Sequence, residues 1–201
     1  MYKLYDFLPS GNGYKIRLLL NLLDIAYERI ELNILKRETR TPEFLQKNPY
    51  GKIPLLEIAP DRYLAESNAI LYFLSQGTEF FPQDGYVRSQ VMQWLFFEQY
   101  SHEPNIATAR YWINILKQPE QYREQLHHKH RLGNAALKAM EQHLRDRNFL
   151  VAETYTIADI CLYAYTHVAD EGGFELDRFP AIQAWLSRIK THPKHISIAD
   201  L

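Results

Sequence analysis

Asn48-Pro49-Tyr50-Gly51-Lys52-Ile53-Pro54-Leu55-Leu56 is the stretch on which the reading of this chain turns. Leu55, Leu56 and Ile58 have the make-up of a strand, yet Pro54 stands just before them. A proline there is costly unless the neighbouring amide is wanted for something other than the sheet. A cis Ile53–Pro54 bond would turn the Ile53 backbone outward, where it can pair with a peptide-like ligand as an added strand. A trans proline on an edge strand accounts for the same residues, and the stretch alone leaves both open.

The flanking patterns supply the context. Upstream, Lys3 to Phe7 reads as a short strand that ends at Pro9-Ser10-Gly11-Asn12-Gly13, a cluster of breakers and capping residues. Ile16, Leu19, Leu20 and Leu23 then recur at helical spacing, so a helix starts near Asn12 or Gly13. Ile30, Leu32 and Ile34 alternate with polar residues as in a strand, and Thr41-Pro42-Glu43 opens a short helix carrying Phe44 and Leu45. Downstream, Pro60-Asp61 turns the strand at Leu55 back into Arg62-Tyr63-Leu64. Ser67 begins a helix through Ile70, Leu71 and Leu74 that Gly77 closes. The order is β-α-β-α-β-β-α, a small α/β layer.

After Gly77 the pattern lapses, with Pro82 and Gly85 in the gap, and the rest reads helical. Val87, Val91, Trp94 and Leu95 share one helix face, as do Leu132, Ala136, Met140 and Leu144. Thr156-Ile157-Ala158-Asp159 opens a helix that is apolar nearly all round and therefore central, and Ile182, Trp185, Leu186 and Ile189 mark another. The expected architecture is an α/β module over 1–76, a linker over 77–85 and an all-α module over 86–201.

Composition removes several function classes. With 201 residues, 46% of them apolar, the chain can bury a full core without disulfides or metals. The 23 basic and 24 acidic residues leave a formal charge of −1, which gives no global footprint for nucleic acid or an anionic membrane. The one cysteine, Cys161, excludes an intrachain disulfide and a Cys-x-x-Cys redox pair. Met1 to Ser10 carry an acid and a proline where a signal peptide needs an apolar core, and no apolar run is long enough for a membrane span. The expectation is a soluble, cytoplasmic protein.

Several residue sets invite chemistry, each with a structural counter-reading. Unpaired amides at the start of the first helix favour an anion, and Ser10 can add its hydroxyl; from the loop alone, turn and capping duty for Ser10 and Asn12 is the better reading. Its Gly-x-Gly lacks the remaining marks of a dinucleotide fingerprint. In Ala65-Glu66-Ser67-Asn68, Ser67 can cap a helix and no more, yet a hydroxyl with free amides suits a ligand carboxylate and Glu66 suits an ammonium. An α-amino acid head group presents both. His127, His128 and His130 offer an i,i+3 pair without an evident third metal ligand, so a solvated polar face is the reading and no metal is expected. Pro104 interrupts the first long helix. Tyr100 and His102 beside it, with Arg110 and Trp112, either line a second-substrate pocket or pack as a kink. Cys161 reads as core.

The conjunction of these sets, in this order and on this background, resembles the cytosolic glutathione transferases over the whole chain. The resemblance implies a thioredoxin-like N-terminal domain and an all-α C-terminal domain. It also implies that Pro54 is cis, that the Ile53 backbone pairs with the cysteinyl unit of glutathione, and that Glu66 and Ser67 grip the γ-glutamyl head, with Lys52 nearby. Thr156 and Asp159 match the family's capping box. Ser10-Gly11-Asn12-Gly13-Tyr14-Lys15-Ile16 is most similar to the bacterial nu-type pattern Thr-Pro-Asn-Gly-x-Lys-Ile, which implies Ser10 and Asn12 as partners of the thiolate. Tyr5, inside its strand, reads as packing. The function implied is transfer of glutathione to small electrophiles, with glutathione as co-substrate and no tightly bound cofactor. The alternatives are a glutathione-dependent disulfide or peroxide reductase, or a non-catalytic binding module. A homodimer is implied too, covering apolar surface near Tyr63, Tyr72 and Phe80.

Overall fold

The computed structural model describes residues 1–200 and divides the chain into two compact units. The first comprises Met1–Gln76 together with the segment from Lys194 onward; the second is Gly77–Pro193. The sequence reading is corrected at one end: the last residues do not join the helical module but bond to the first helix of the α/β module.

In the first unit, β1 (Tyr2–Asp6) leads into α1 (Gly11–Leu22), β2 (Tyr27–Glu31), α2 (Pro42–Lys47), β3 (Leu55–Ala59), β4 (Arg62–Ala65) and α3 (Ser67–Ser75). The sheet order is β2-β1-β3-β4. β1 runs parallel to β2 and antiparallel to β3, and β3 pairs antiparallel with β4. The crossover through α1 is what a parallel pair requires, and the hairpin at Pro60-Asp61 is what the second antiparallel pair requires. β2 stops before the Leu32 and Ile34 assigned to it from sequence. Asn33 takes the amides of Leu35 and Lys36 on its side-chain oxygen and so starts a tight turn where the alternation suggested more strand. Thr41 caps α2 as expected, accepting from the Phe44 amide.

In the second unit, Asp84 caps α4 (Gly85–Phe97), which passes through a π-helical turn at Glu98–His102 into α5 (Glu103–Arg110). Pro104 was expected to break or bend this helix. The chain instead widens by one residue ahead of the proline, the Glu103 amide reaching back to the Glu98 carbonyl, which makes room for the ring. A second such turn spans Tyr111–Ile115, and α6 (Arg123–Leu144), α7 (Ile157–Thr166) and α8 (Pro180–Lys190) follow. Every residue of α7 is buried, which makes it the core helix its composition predicted. No helix of the described residues is long and apolar enough to cross a membrane.

Asp159 organises this core. Its carboxylate takes the Thr156 amide (2.9 Å) and hydroxyl (3.1 Å), the Leu150 amide (2.9 Å) and the Trp185 indole N–H (3.0 Å), while Thr156 accepts from the Ala158 amide. The capping box therefore also ties α7 to α8 and to the turn before α7. Burial raises the Asp159 carboxyl to about 6 against the pull of those four donors. The folded chain thus holds this proton more tightly than the unfolded one, and the associated stability is lost as pH rises from about 4 through about 6. Asp159→Asn lacks this slope. The stability of wild type minus variant, from urea unfolding, should therefore fall by on the order of 2–3 kcal/mol between about pH 4 and pH 7. A difference that is constant across that range would show that the donors hold the carboxyl at its ordinary value.

Candidate functional site

Asp6, the last residue of β1, is fully buried, as is Arg17 on α1, and the two meet at 3.0 Å in an ion pair that falls short of an aligned hydrogen bond. Burial pushes the Asp6 carboxyl up and the Arg17 guanidinium opposes it. Between them the chain runs Phe7-Leu8-Pro9-Ser10 and enters α1. Arg17 also donates to the Leu8 carbonyl at 2.7 Å, and the Leu8 amide faces the Glu31 carboxylate at 3.2 Å. Gly13 lies hard against Asp6: a Cβ there would sit 1.6 Å from Oδ1, so no other residue fits without displacing the carboxylate.

Ser10 is the N-cap of α1 and accepts from the Gly13 amide at 3.3 Å. Its hydroxyl proton is not used by that bond, so Ser10 can cap the helix and donate outward together. Asn12 faces elsewhere than the shared role with Ser10 would suggest. Its side-chain oxygen accepts the Ser67 hydroxyl at 3.3 Å, joining the first turn of α1 to the first turn of α3. Lys15, fully buried, donates to the same Ser67 oxygen at 3.2 Å and to Asn68 at 3.3 Å. Lys15 was in the quoted Gly-x-Lys-Ile motif, but no role had been attached to it; its signal was a lysine on a helix otherwise lined with leucines.

Ile53–Pro54 is cis. Ladder pairing in β3 begins at Leu55, so the Ile53 amide and carbonyl take no part in the sheet. The turn ahead of it is built by Asn48, whose side chain donates to the Lys52 carbonyl at 2.8 Å and accepts from the Tyr50 amide. Gly51 adopts φ +59°, and a Cβ there would meet the Arg40 guanidinium at 2.6 Å. The Lys52 side chain is exposed. Glu66 holds φ +69°, a left-handed conformation that costs about 1 kcal/mol or more for a residue with a side chain. Its carbonyl accepts from the Ile70 amide to open α3, while its carboxylate is exposed and caps nothing. Strain of this kind, with a charge held outward at a helix start, marks functional loops.

Tyr5 sits in the core with Phe44 and Leu55, donates to Glu57 at 2.9 Å, and has its phenol pushed up to about 12, by burial first and by Glu57 second. It packs, as its position in the strand implied.

The residues grouped from the helical unit do not share one lining. Tyr100 is exposed, whereas His102 is fully buried and bonds the Thr166 hydroxyl at 2.9 Å. Arg110 is buried in an ion pair with Glu171 at 2.6 Å, and Trp112 stacks on Tyr122 with centroids 4.5 Å apart. Of these four only Tyr100 is freely open to solvent. His127 and His128 are exposed, while His130 bonds the Gly172 carbonyl; among the described residues no cluster of three His, Cys, Asp or Glu is disposed to hold a metal. Cys161 is buried in α7.

Residues 1–76 match the family model for the glutathione S-transferase N-terminal domain, and residues 94–193 match that for the C-terminal domain. The crystal structure of a glutathione S-transferase from Pseudomonas fluorescens Pf-5 superposes with a TM-score of 0.97 at 53% identity, covering 99% of each chain. A glutathione S-transferase-like protein of a Fusarium species, LUC7, is 32% identical over 200 residues, 92% of this chain and 87% of that protein. The disulfide-bond oxidoreductase YfcG of Escherichia coli K12 is 28% identical over 208 residues, 96% of this chain and 92% of that protein.

Proposed function

The chain belongs to the glutathione S-transferase family, and we propose that it binds glutathione on its first unit and activates the thiol as thiolate for attack on small electrophiles. The observation that carries the assignment of residues is the Asn12–Ser67 hydrogen bond, which draws the N-terminal turns of α1 and α3 together. Two helix starts then present amides and hydroxyls to one ligand. Ser67 and the exposed Glu66 meet the γ-glutamyl carboxylate and ammonium, the Ile53 backbone before Pro54 pairs with the cysteinyl unit, and Lys52 adds charge at the tripeptide. Ser10 meets the sulfur.

A free thiol with pKa near ~8.5 is only a few per cent thiolate at neutral pH. A hydroxyl donor beside the positive end of α1 favours the charged form, so the proton leaves to solvent as glutathione binds and no general base is required. The thiolate then forms the C–S bond while the electrophile's leaving group departs or its acceptor carbon takes up the electron pair. Asn12 differs from Ser10 here, because its side-chain oxygen is engaged by Ser67 and so serves the γ-glutamyl end. Ser10→Ala should raise the pKa of bound glutathione by about one to two units and lower turnover at neutral pH. Asn12→Ala and Tyr5→Phe should leave it near the wild-type value. Thiolate absorbance of each complex titrated across pH checks this, and an unmoved Ser10→Ala curve would reduce Ser10 to a helix cap.

Glu66→Ala and Ser67→Ala act far from the sulfur and so remove mainly uniform binding. Each should raise KM for glutathione by about tenfold to a hundredfold with kcat little changed, the loss of a charge-assisted bond being ~1.5–3 kcal/mol. Unchanged KM in both variants would sink the assignment.

A second reading, glutathione-dependent disulfide reduction, is favoured by the kinship to YfcG and by the Ser-Gly-Asn-Gly turn. Two glutathione thiols would be oxidised to glutathione disulfide as the substrate disulfide is reduced to two thiols. The only cysteine is buried Cys161, so the thiolate would come from glutathione and not from the enzyme. A cytoplasmic location and a homodimer belong to the same proposal. The dimer is supported by the exposed Tyr72 and Phe73 of α3, whereas Phe80, counted from sequence among the surface aromatics, is buried. Light scattering should give twice the mass of the chain, and a monomer at working concentration would count against it.

A further inference from the structure

The segment from Lys194 to Asp200 lies along α1, held by side chains from successive turns of that helix. Asn21 donates to the Lys194 carbonyl at 2.7 Å, the Tyr14 hydroxyl donates to the Ile196 carbonyl at 2.7 Å, and Arg17 Nη1 donates to the carbonyls of Ile198 and Asp200, each at 3.0 Å. Lys194 answers from its own side, donating to the Leu22 carbonyl and pairing with Asp24. The segment is closed on itself by the Ser197 amide on the Asp200 carboxylate and the Asp200 amide on the Ser197 carbonyl. Short terminal segments without helix or strand ordinarily fray. This one supplies acceptors to two fully buried donors, Tyr14 and Arg17, which would lose those bonds if it left.

Arg17 is the junction. While Nη1 holds the tail, Nη2 holds the Leu8 carbonyl and Nε faces the Asp6 carboxylate against which Gly13 is pressed. One planar guanidinium therefore ties the tail to both ends of the turn that carries Ser10. Resting on the assignment of Ser10 to the glutathione sulfur, we infer that the C-terminal segment is a clamp for thiol activation. Seated, it fixes the guanidinium and with it the Leu8–Gly13 turn; displaced, it gives Arg17 other partners and lets that turn loosen. Arg17 and the tail are positioning elements that act through Ser10.

The test keeps Arg17, Asp6 and Ser10 intact. Tyr14→Phe with Asn21→Ala in the full chain loosens the tail by two bonds, and a chain ending at Pro193 removes it. Hydrogen exchange at the Ser10–Gly13 amides and thiolate absorbance of bound glutathione are then measured beside wild type and Ser10→Ala. Both tail variants should speed exchange in the turn and move the thiol titration up by about half to one pH unit. The accompanying loss of kcat near neutral pH should recover at alkaline pH, with KM for glutathione within about twofold. If the truncated chain does not fold, the full-chain double variant decides. A lower melting temperature with turn exchange and titration unmoved overturns the inference and leaves the tail as a staple. The Ser10→Ala arm keeps two failures apart. If it shifts the titration and the tail variants do not, only the clamp is wrong; if it does not shift, the thiol assignment fails and the clamp falls with it.

Discussion

The α/β unit depends on one buried charge pair, Asp6 with Arg17. Neither side chain touches solvent, and removing either partner of such a pair would leave the other charge stranded, which costs about 3–5 kcal/mol. Because one partner ends β1 and the other stands one turn and a half into α1, the pair fixes where the helix begins relative to the strand. Everything proposed for the sulfur end of the ligand inherits that position: Ser10 as the cap, the amides after it, and the glycine at 13 that lets the helix approach the carboxylate. A hydrophobic pair could join strand to helix as firmly. Only a guanidinium, with donors pointing three ways, could also hold the Leu8 carbonyl and the returning tail.

The helical unit solves a similar problem with a different group. Asp159 gathers donors from the start of α7, the turn before it and Trp185 of α8, so a single carboxylate sets the relation of three segments. Here there is no cation. The four hydrogen bonds must themselves offset the cost of burial, and they do so incompletely, which is why the carboxyl rises. The contrast explains why one unit carries a fixed ionic joint and the other a joint that responds to pH.

Most of the fold was legible in the sequence because it rests on local rules. The Thr41-Pro42 helix start, the Pro60-Asp61 hairpin and the Thr156-Asp159 box are each written in a few adjacent residues. The candidate site was legible in parts, as the Ser10–Gly13 turn, the Ile53-Pro54 pair and the Glu66-Ser67 pair. What could not be read was which polar groups point inward. Lys15 and Arg17 sit on a helix of which only Asn12 and Asn21 escape full burial, and the partners that make this tolerable lie far along the chain, at Ser67, Asp6 and Ile198. His102 and Arg110 misled for the same reason: beside a proline they suggested a lining, but Thr166 and Glu171 draw them inside. The return of the tail left no pattern at all, since it is held by its backbone carbonyls and these carry no sequence signature.

The wide turn at Glu98–His102 governs more than the fit of one proline. At 3.6 residues per turn each residue advances an α-helix by about 100°, so chain length at that point sets the angular phase of all that follows. Removing one residue there would leave the composition of α5 untouched and rotate it, carrying Ile106 and Ala109 away from the core and bringing charged neighbours in. Insertions and deletions are usually borne by loops. In this helix a change of a single residue would act as a misalignment of everything downstream, which makes the segment far less tolerant of length variation than of substitution.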